Sequence, residues 1–265
     1  MNEDRNFDDL AERFQRKVYG SLKGDIRLAV LWRDIEEAIP DIYGSKPLRV
    51  LDVGAGLGQL AVRLAKLGHQ VTVNDISSEM LAIARSSAEQ AGVLDDIHWY
   101  HCPFQSLSNH VKGTFDLVLC HAVVEWLADP EALIAHLKGY LSDTGTLSLT
   151  YYNRHSLEYR NLIRGNFNWL NQASFVADPG SLTPGNPLYP EQVQGWCDKL
   201  GLQVESACGV RVFHDYVTTV RGGHAVPEDV IKMELKYSQR EPYMWLGRYI
   251  HLLLKHTDKA TPLNE

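Results

Sequence analysis

From Leu48 to Tyr152, short apolar runs alternate with segments whose apolar residues recur every three or four positions. LRVLDVG, residues 48–54, has the near-continuous apolar character of a buried strand. QLAVRLAKLG, residues 59–68, has the period of a helix and is closed by Gly68. The alternation continues through strand HQVTVNDI, helix SSEMLAIARSSAEQAGV, strands IHWYHC and FDLVLCHA, helix ADPEALIAHLKGYL and strand GTLSLTYY. Ser77 or Ser78 caps the second helix, with Glu79 in its first turn, and Asp129 caps the third, with Pro130 at its first position. Strands separated by helices predict a parallel sheet with helices on both faces.

The pattern changes after Tyr152. Residues 153–190 are polar, with scattered aromatics and the Pro/Gly-rich DPGSLTPGNPLYP, and predict an insertion in place of another βα unit. PEQVQGWCDKLG predicts a short helix. LQVESACGVRVFHDYV and GRYIHLLLKH predict two more strands, with a helical stretch of about 20 residues between them. Residues 1–40 predict a helical segment, packed over the ligand side of the sheet or away from it. The expected fold is α/β: one doubly wound, seven-stranded, Rossmann-like domain over residues 1–265, with that N-terminal segment and the 153–190 insertion after strand five.

Composition narrows the class. Hydrophobic residues at 45% and charged residues at 22% describe an ordinary globular chain. No apolar run approaches the ~20 residues of a membrane span, and the acidic MNEDRNFDDL start is no signal peptide. Four cysteines without paired spacing predict a reducing, cytoplasmic setting. There is no H-E-x-x-H, and His98 and His101 point to opposite faces of a strand, so no metal is expected. A net charge of −7 argues mildly against a nucleic-acid partner.

The candidate chemistry lies in VLDVGAGLGQ, residues 50–59. Glycines at the carboxyl end of a first strand let a ligand approach the backbone and the amides of the following helix. The spacing is G-x-G-x-G, with Gln59 where the third glycine of a dinucleotide fingerprint would stand. Asp75, ending the second strand, suits the ribose of either NAD or S-adenosylmethionine (SAM). The acid before the loop, the tighter spacing, the Trp126-Asp129-Pro130 sequel to strand four and the LSDTGTLSL entry to strand five resemble class I SAM methyltransferases. Amine methylation of a base usually needs a D/N-P-P-Y type motif where this chain has CHAVVEW. Carbon-5 methylation needs a Pro-Cys thiol, and here the order is Cys102-Pro103. Cys102 and Cys120 read as small buried hydrophobes. No general base stands beside a nucleophile, which favours an acceptor already nucleophilic at neutral pH, such as a carboxylate.

RNFDDLAERF, VYGSLKGDIR, GVRVFHDY and EPYMWLGRYIH, with the glycine loop in register between them, resemble the CmoM family of tRNA 5-carboxymethoxyuridine methyltransferases from about Arg5 to His256. The resemblance implies methyl transfer from SAM to the carboxylate of 5-carboxymethoxyuridine at the tRNA wobble position, giving a methyl ester. It also implies that Arg27 pairs with the SAM carboxylate and that Gly54 and Ala55 line the backbone approach. Asp75 would hold the ribose, Phe104 and Gln105 the adenine, and His121 would lie near the methionine moiety. Ala55 and Leu57 replace Gly and Glu of the family pattern, which Ala55 tolerates if its φ is negative, and the insertion lacks the family's Lys-rich run. Arg16, Lys17, Lys23, Arg154, Arg160, Arg164, Arg211 and His214 are candidates for a basic rim cradling the anticodon loop. Tyr151, Tyr152 or Trp169 would stack on a flipped base, and Arg154 or Arg211 would hold the substrate acid. Two other readings stay open: methylation of a small carboxylic acid or quinone precursor, with the insertion as a lid, and a non-catalytic SAM-binding module.

Overall fold

The computed structural model describes Asp8, residues 20–171 and residues 183–257. Among these, seven strands form one sheet: β1 (Arg49–Val53), β2 (Gln70–Asp75), β3 (Ile97–His101), β4 (Phe115–His121), β5 (Leu141–Tyr152), β6 (Leu202–Val210) and β7 (Tyr249–His256). Their order is β3-β2-β1-β4-β5-β7-β6. Strands β1 to β5 pair in parallel, whereas β7 enters between β5 and β6 and runs antiparallel to both. This is the expected doubly wound, Rossmann-like sheet.

The helices are α1 (Leu22–Ala38), α2 (Gln59–Lys66), α3 (Ser78–Gln90), α4 (Pro130–Gly139), α5 (Arg154–Ile163), α6 (Phe167–Leu170), α7 (Pro190–Lys199) and α8 (Pro227–Tyr237). Side chains alternate across the strands, so β4 sends Val118 and Cys120 into one core and Leu117 and Leu119 into the other. The first core is completed by α4 and α7 through Leu133, Leu137, Val193 and Cys197. The second is completed by α1, α2, α3 and α8 through Ile26, Leu64, Leu81 and Val230. Burial on both faces is why these strands read as unbroken apolar runs.

Local chemistry sets the ends. Ser77, not Ser78, caps α3, its Oγ accepting the Met80 amide at 3.1 Å. Asp129 Oδ1 accepts the Ala132 amide at 3.0 Å at the start of α4. The sixth strand stops at Val210, short of the expected Val217. The backbone turns left-handed at Arg211 (φ +61°), and the amides of Val212, Phe213 and His214 donate to the Glu234 carboxylate at 2.7, 3.2 and 2.8 Å, out of the ladder. The long helix expected before β7 is only α8, preceded by a 3-10 turn at Gly222–Ala225 and followed by another at Tyr243–Leu246. Helix α1 lies against α8, β6 and β7 and takes the ligand side, since its Arg27, Leu28 and Leu31 line the cavity above the sheet. Most of the N-terminal segment before residue 20 and the centre of the insertion, 172–182, lie outside the described residues.

Candidate functional site

Beyond β1 the chain passes through Gly54, Gly56 and Gly58, all left-handed (φ +66°, +56° and +67°). A Cβ at Gly54 would meet Val123 Cγ2 at 2.4 Å, and one at Gly58 would meet Ala84 Cβ at 2.9 Å. One at Gly56 would meet nothing within 4 Å. The outer two glycines thus permit packing, and the middle one leaves an open cradle. Ala55 stays out of the left-handed region, as its side chain requires. The amides of Gly54 and Ala55 donate to Asn74 O at 2.8 and 3.1 Å, and Asn74 Nδ2 donates to Cys102 O at 2.8 Å. Asp75 receives the Gly56 amide on Oδ2 and the Ser77 amide on Oδ1, both at 2.8 Å. Burial pushes its carboxyl up while these amides oppose it, and each oxygen keeps a further lone pair.

A cavity of about 710 Å³ opens over this loop at the carboxyl ends of the strands. Arg27, Gly54, Ala55, Asp75, Phe104, Gln105 and His121 all line it. Arg27 is buried, 5.3 Å from the Tyr249 ring centroid. Asp52, also lining the cavity, has its carboxyl pushed up to about 7 by burial and by Asp75, with Arg27 opposing. Glu125 is fully buried, and burial pushes its carboxyl up to about 8, opposed by its own backbone amide, by Arg27 and by the backbone amide of Tyr152.

The opposite part of the cavity is cationic. Lys23, Arg160, Arg164, Arg211 and Arg248 line it around a single acid, Asp215. Asp215 lies 3.5 Å from Arg211 Nη2, 3.6 Å from Arg248 Nε and 3.9 Å from Lys23 Nζ. Burial would raise its carboxyl, but Arg211, Arg248 and Lys23 outweigh that and hold it below the ordinary range. Burial, then Arg248 and Arg164, push the Arg160 guanidinium down. Arg160 Nε, Arg211 Nε, Arg248 Nη1 and the Tyr152 hydroxyl are buried without a hydrogen-bond partner among the described residues. Buried donors in that condition are costly unless something pairs with them, and a set this cationic suits an oxyanion.

The structure therefore brings Arg211 to the cavity and not Arg154, whose Nε donates to Glu158 Oε1 at 2.8 Å and whose guanidinium lies 5.6 Å from the Trp169 ring centroid. Tyr151 is unsuited to stacking on a base, because it sits 1% exposed in the core beneath α7. Lys23, Arg160, Arg164 and His214 line the cavity itself, where the sequence suggested an outer rim. Arg16 and Lys17 lie outside the described residues. Arg248, Asp215 and Glu125 escaped the sequence reading. Arg248 immediately precedes an apolar strand and Asp215 lies within a 3-10 turn, so neither falls in a recognisable spacing.

Residues 51–149 match the model of the Methyltransferase domain family. Over 250 residues the chain is 41% identical to the tRNA 5-carboxymethoxyuridine methyltransferase of Escherichia coli (strain K12), covering 94% of this chain and 95% of the relative. The chain belongs to the tRNA 5-carboxymethoxyuridine methyltransferase family. More distantly, 165 residues are 30% identical to the ubiquinone biosynthesis O-methyltransferase of Xanthomonas euvesicatoria pv. vesicatoria (strain 85-10), 61% of this chain and 65% of that one. The fold is shared with magnesium protoporphyrin IX methyltransferase from Synechocystis PCC 6803 with bound SAH, at TM-score 0.61 and 17% identity over 95% of this chain and 96% of that one.

Membership of this methyltransferase family makes SAM the cofactor. The residues present fit it. Gly56 leaves an open cradle, Asp75 has spare acceptor capacity for two hydroxyls, Arg27 offers a buried cation, and Phe104 supplies an apolar wall.

Proposed function

We propose that this enzyme methyl-esterifies the carboxylate of 5-carboxymethoxyuridine at the wobble position of tRNA, in the cytoplasm. The observation that carries the reading is the cationic part of the cavity. Arg160, Arg211 and Arg248 line the same space that the glycine loop borders, and each has a buried guanidinium nitrogen without a hydrogen-bond partner among the described residues.

When bound, SAM supplies an electrophilic methyl group on a sulfonium. The chain's residues do the rest. Arg27 pairs with the methionine carboxylate, Asp75 accepts from the ribose hydroxyls, and Phe104 and Gln105 hold the adenine. Arg211, Arg248 and Arg160 grip the substrate acid, and Asp215 fixes the first two of these guanidinium groups in place. Residues of the cavity wall such as Val123, Trp126 and Leu127 exclude water from the reacting atoms. A carboxylate, with a pKa of about 4, is ionised at neutral pH and needs no base. Exposed Arg164 and half-exposed Lys23 sit at the cavity mouth, where they meet the phosphates of the anticodon loop.

The test is to incubate the purified chain with SAM and tRNA carrying 5-carboxymethoxyuridine and to digest the product for nucleoside mass spectrometry. One added methyl group, released by mild alkali as an ester must be, is the expected result. An alkali-stable methyl would overturn the esterification. Turnover of a free carboxylic acid or quinone precursor, with tRNA left unmodified, would overturn the RNA substrate.

A further inference from the structure

Helix α5 and the Arg164 that caps it carry two stripes side by side. Arg160 and Arg164, four residues apart, line the cavity. One position back, about 100° round the helix, stand Tyr159 and Ile163, also four apart. These two are 41% and 48% exposed, and Phe167, past the turn that ends α5, is 58% exposed. Val220, from the loop beyond β6, lines the same cavity and is 70% exposed. Single exposed apolar residues are ordinary. Here three large ones follow one another beside the arginines of a binding cavity, and a run of that kind marks a contact surface.

The apolar stripe is fixed in place. The Tyr159 ring meets Tyr216 edge-on, with 5.4 Å between centroids, and Tyr216 Oη donates to Leu246 O at 2.6 Å. After Arg164 the chain turns left-handed at Gly165 (φ +70°). The Asn166 amide donates to Asn161 O at 3.0 Å, and Asn166 Nδ2 donates to Asn161 Oδ1 at 2.9 Å. This turn leaves Phe167 exposed at the start of α6. A ring held before binding loses little freedom when a partner arrives.

The neighbouring charge selects the kind of partner. Unpaired nucleic acid offers phosphates along one edge and flat apolar faces along the other, and proteins that hold it set cations beside stacking side chains. A two-fold dimer through this face would instead set Arg160 and Arg164 against their own counterparts.

We propose that Tyr159, Ile163 and Phe167 form a platform on which the unpaired bases next to the modified nucleotide stack, while that nucleotide itself enters the cavity past Arg164. This rests on the reading of the anticodon loop as substrate, and adds the surface that holds the bases the enzyme leaves unmodified. Every base has a face to stack, so the platform supplies affinity for the loop without restricting the sequence beside the target.

The test measures binding of an anticodon stem-loop carrying 5-carboxymethoxyuridine. Phe167→Ala and Ile163→Ser should each weaken it roughly five-fold or more, the scale of one stacked base, while affinity for S-adenosylhomocysteine stays near wild type. Their dependence on salt should match wild type, whereas Arg164→Gln should lower the log–log slope by about 0.7. Leu162 lies midway between the arginines in sequence and so on the opposite side of α5, and Leu162→Ser should bind as wild type. An abasic ribose in place of a base beside the modified nucleotide should weaken wild type and add little to the loss in Phe167→Ala. Should Phe167→Ala not fold, Ile163→Ser carries the same comparison. The platform is ruled out if wild type methylates the stem-loop and both variants bind it equally well, if their salt slope falls, or if Leu162→Ser loses as much as they do. Sedimentation that shows a dimer dissociated by Ile163→Ser would give the surface to a second copy of the chain and equally rule it out. A wild-type chain that neither binds nor methylates the stem-loop fails the RNA reading itself, and the platform with it.

Discussion

Arg211 and Asp215, four residues apart, close a 3.5 Å ion pair across a turn in which Arg211 is itself left-handed. That backbone costs a side-chain-bearing residue about 1–2 kcal/mol. Three amides donated to the buried Glu234 carboxylate hold the turn in place. The strain leaves Arg211 lining the cavity with its Nε unbonded.

Arg211→Lys and Arg248→Gln should therefore each raise the KM for the carboxylate-bearing tRNA by roughly ten-fold or more. The basis is ~1.5–3 kcal/mol for a hydrogen bond between charged partners. Calorimetric affinity for S-adenosylhomocysteine should stay near wild type. Arg154→Gln, outside the cavity, should behave as wild type in both assays. A large KM effect at Arg154 alone would move the acid-binding site elsewhere.

The glycine loop makes separable predictions at two positions. Gly54→Ala meets both a left-handed backbone and Val123 Cγ2 at 2.4 Å. It should cost about 1–2 kcal/mol for the conformation and a further ~1–3 for overpacking, seen as a clear fall in Tm. Gly56→Ala meets the conformational strain alone, so its Tm should fall less. Its methyl group projects into the cradle, and cofactor affinity should drop more than its Tm does. Equal Tm losses in the two variants would contradict the packing role of Gly54.

Glu125 and Asp52 give stability a pH dependence of known sign. The Glu125 carboxyl rises from 4.5 to about 8 on folding, and that of Asp52 from 3.8 to about 7. In these windows the native state holds a proton that the unfolded chain has released. Their contribution is complete below the unfolded values and lost as pH rises through the folded ones. Asp34 and Asp215, shifted downward, act with the opposite sign, but in a window that lies below 3.8. Burial holds His69, His121 and His214 below 6.5, and these also act with the opposite sign up to that value. Between about pH 7 and 8 the Tm should therefore fall, and Glu125→Gln should flatten the slope. Thermal melts across that range decide it.

The chemical step should be insensitive to pH. Because the acceptor acid ionises near pH ~4, the single-turnover rate at saturating SAM and tRNA should be nearly level from about pH 6 to 9. A steep rise near neutrality that vanishes in Asp52→Asn or Glu125→Gln would mean that one of these buried acids takes a proton from the substrate.

The parallel half of the fold was legible because burial on both faces writes itself as apolar runs, and the glycine loop because its backbone angles exclude other residues. Ser77 and Asp129 announced helix starts through their own cap chemistry. The substrate side was not legible in this way. Arg248 reaches the cavity from just before an apolar strand, and Arg211 from a turn made possible by Glu234, a partner 23 positions away. Hydrogen bonds also link His121, Ser148 and His251, which the sheet order brings side by side, to Asp34 on the helix packed against them. Tertiary pairing of that kind leaves no periodic trace.

The placement of β7 sets an order of assembly. Among the described residues β6 pairs only with β7, and β5 meets β6 only through it. A chain emerging from the ribosome can pair β1 to β5 and shape the glycine loop while its last strand is still unmade. Arg248, immediately before that strand, and His251 within it are made only after β1 to β6. On the proposed reading the cofactor's cradle is thus an early product of translation, and Arg248's share in the grip on the acid a later one. A chain that has not yet reached β7 already carries Arg160 and Arg211 but lacks Arg248, so on that same reading one of the three guanidinium contacts to the acid comes after the others.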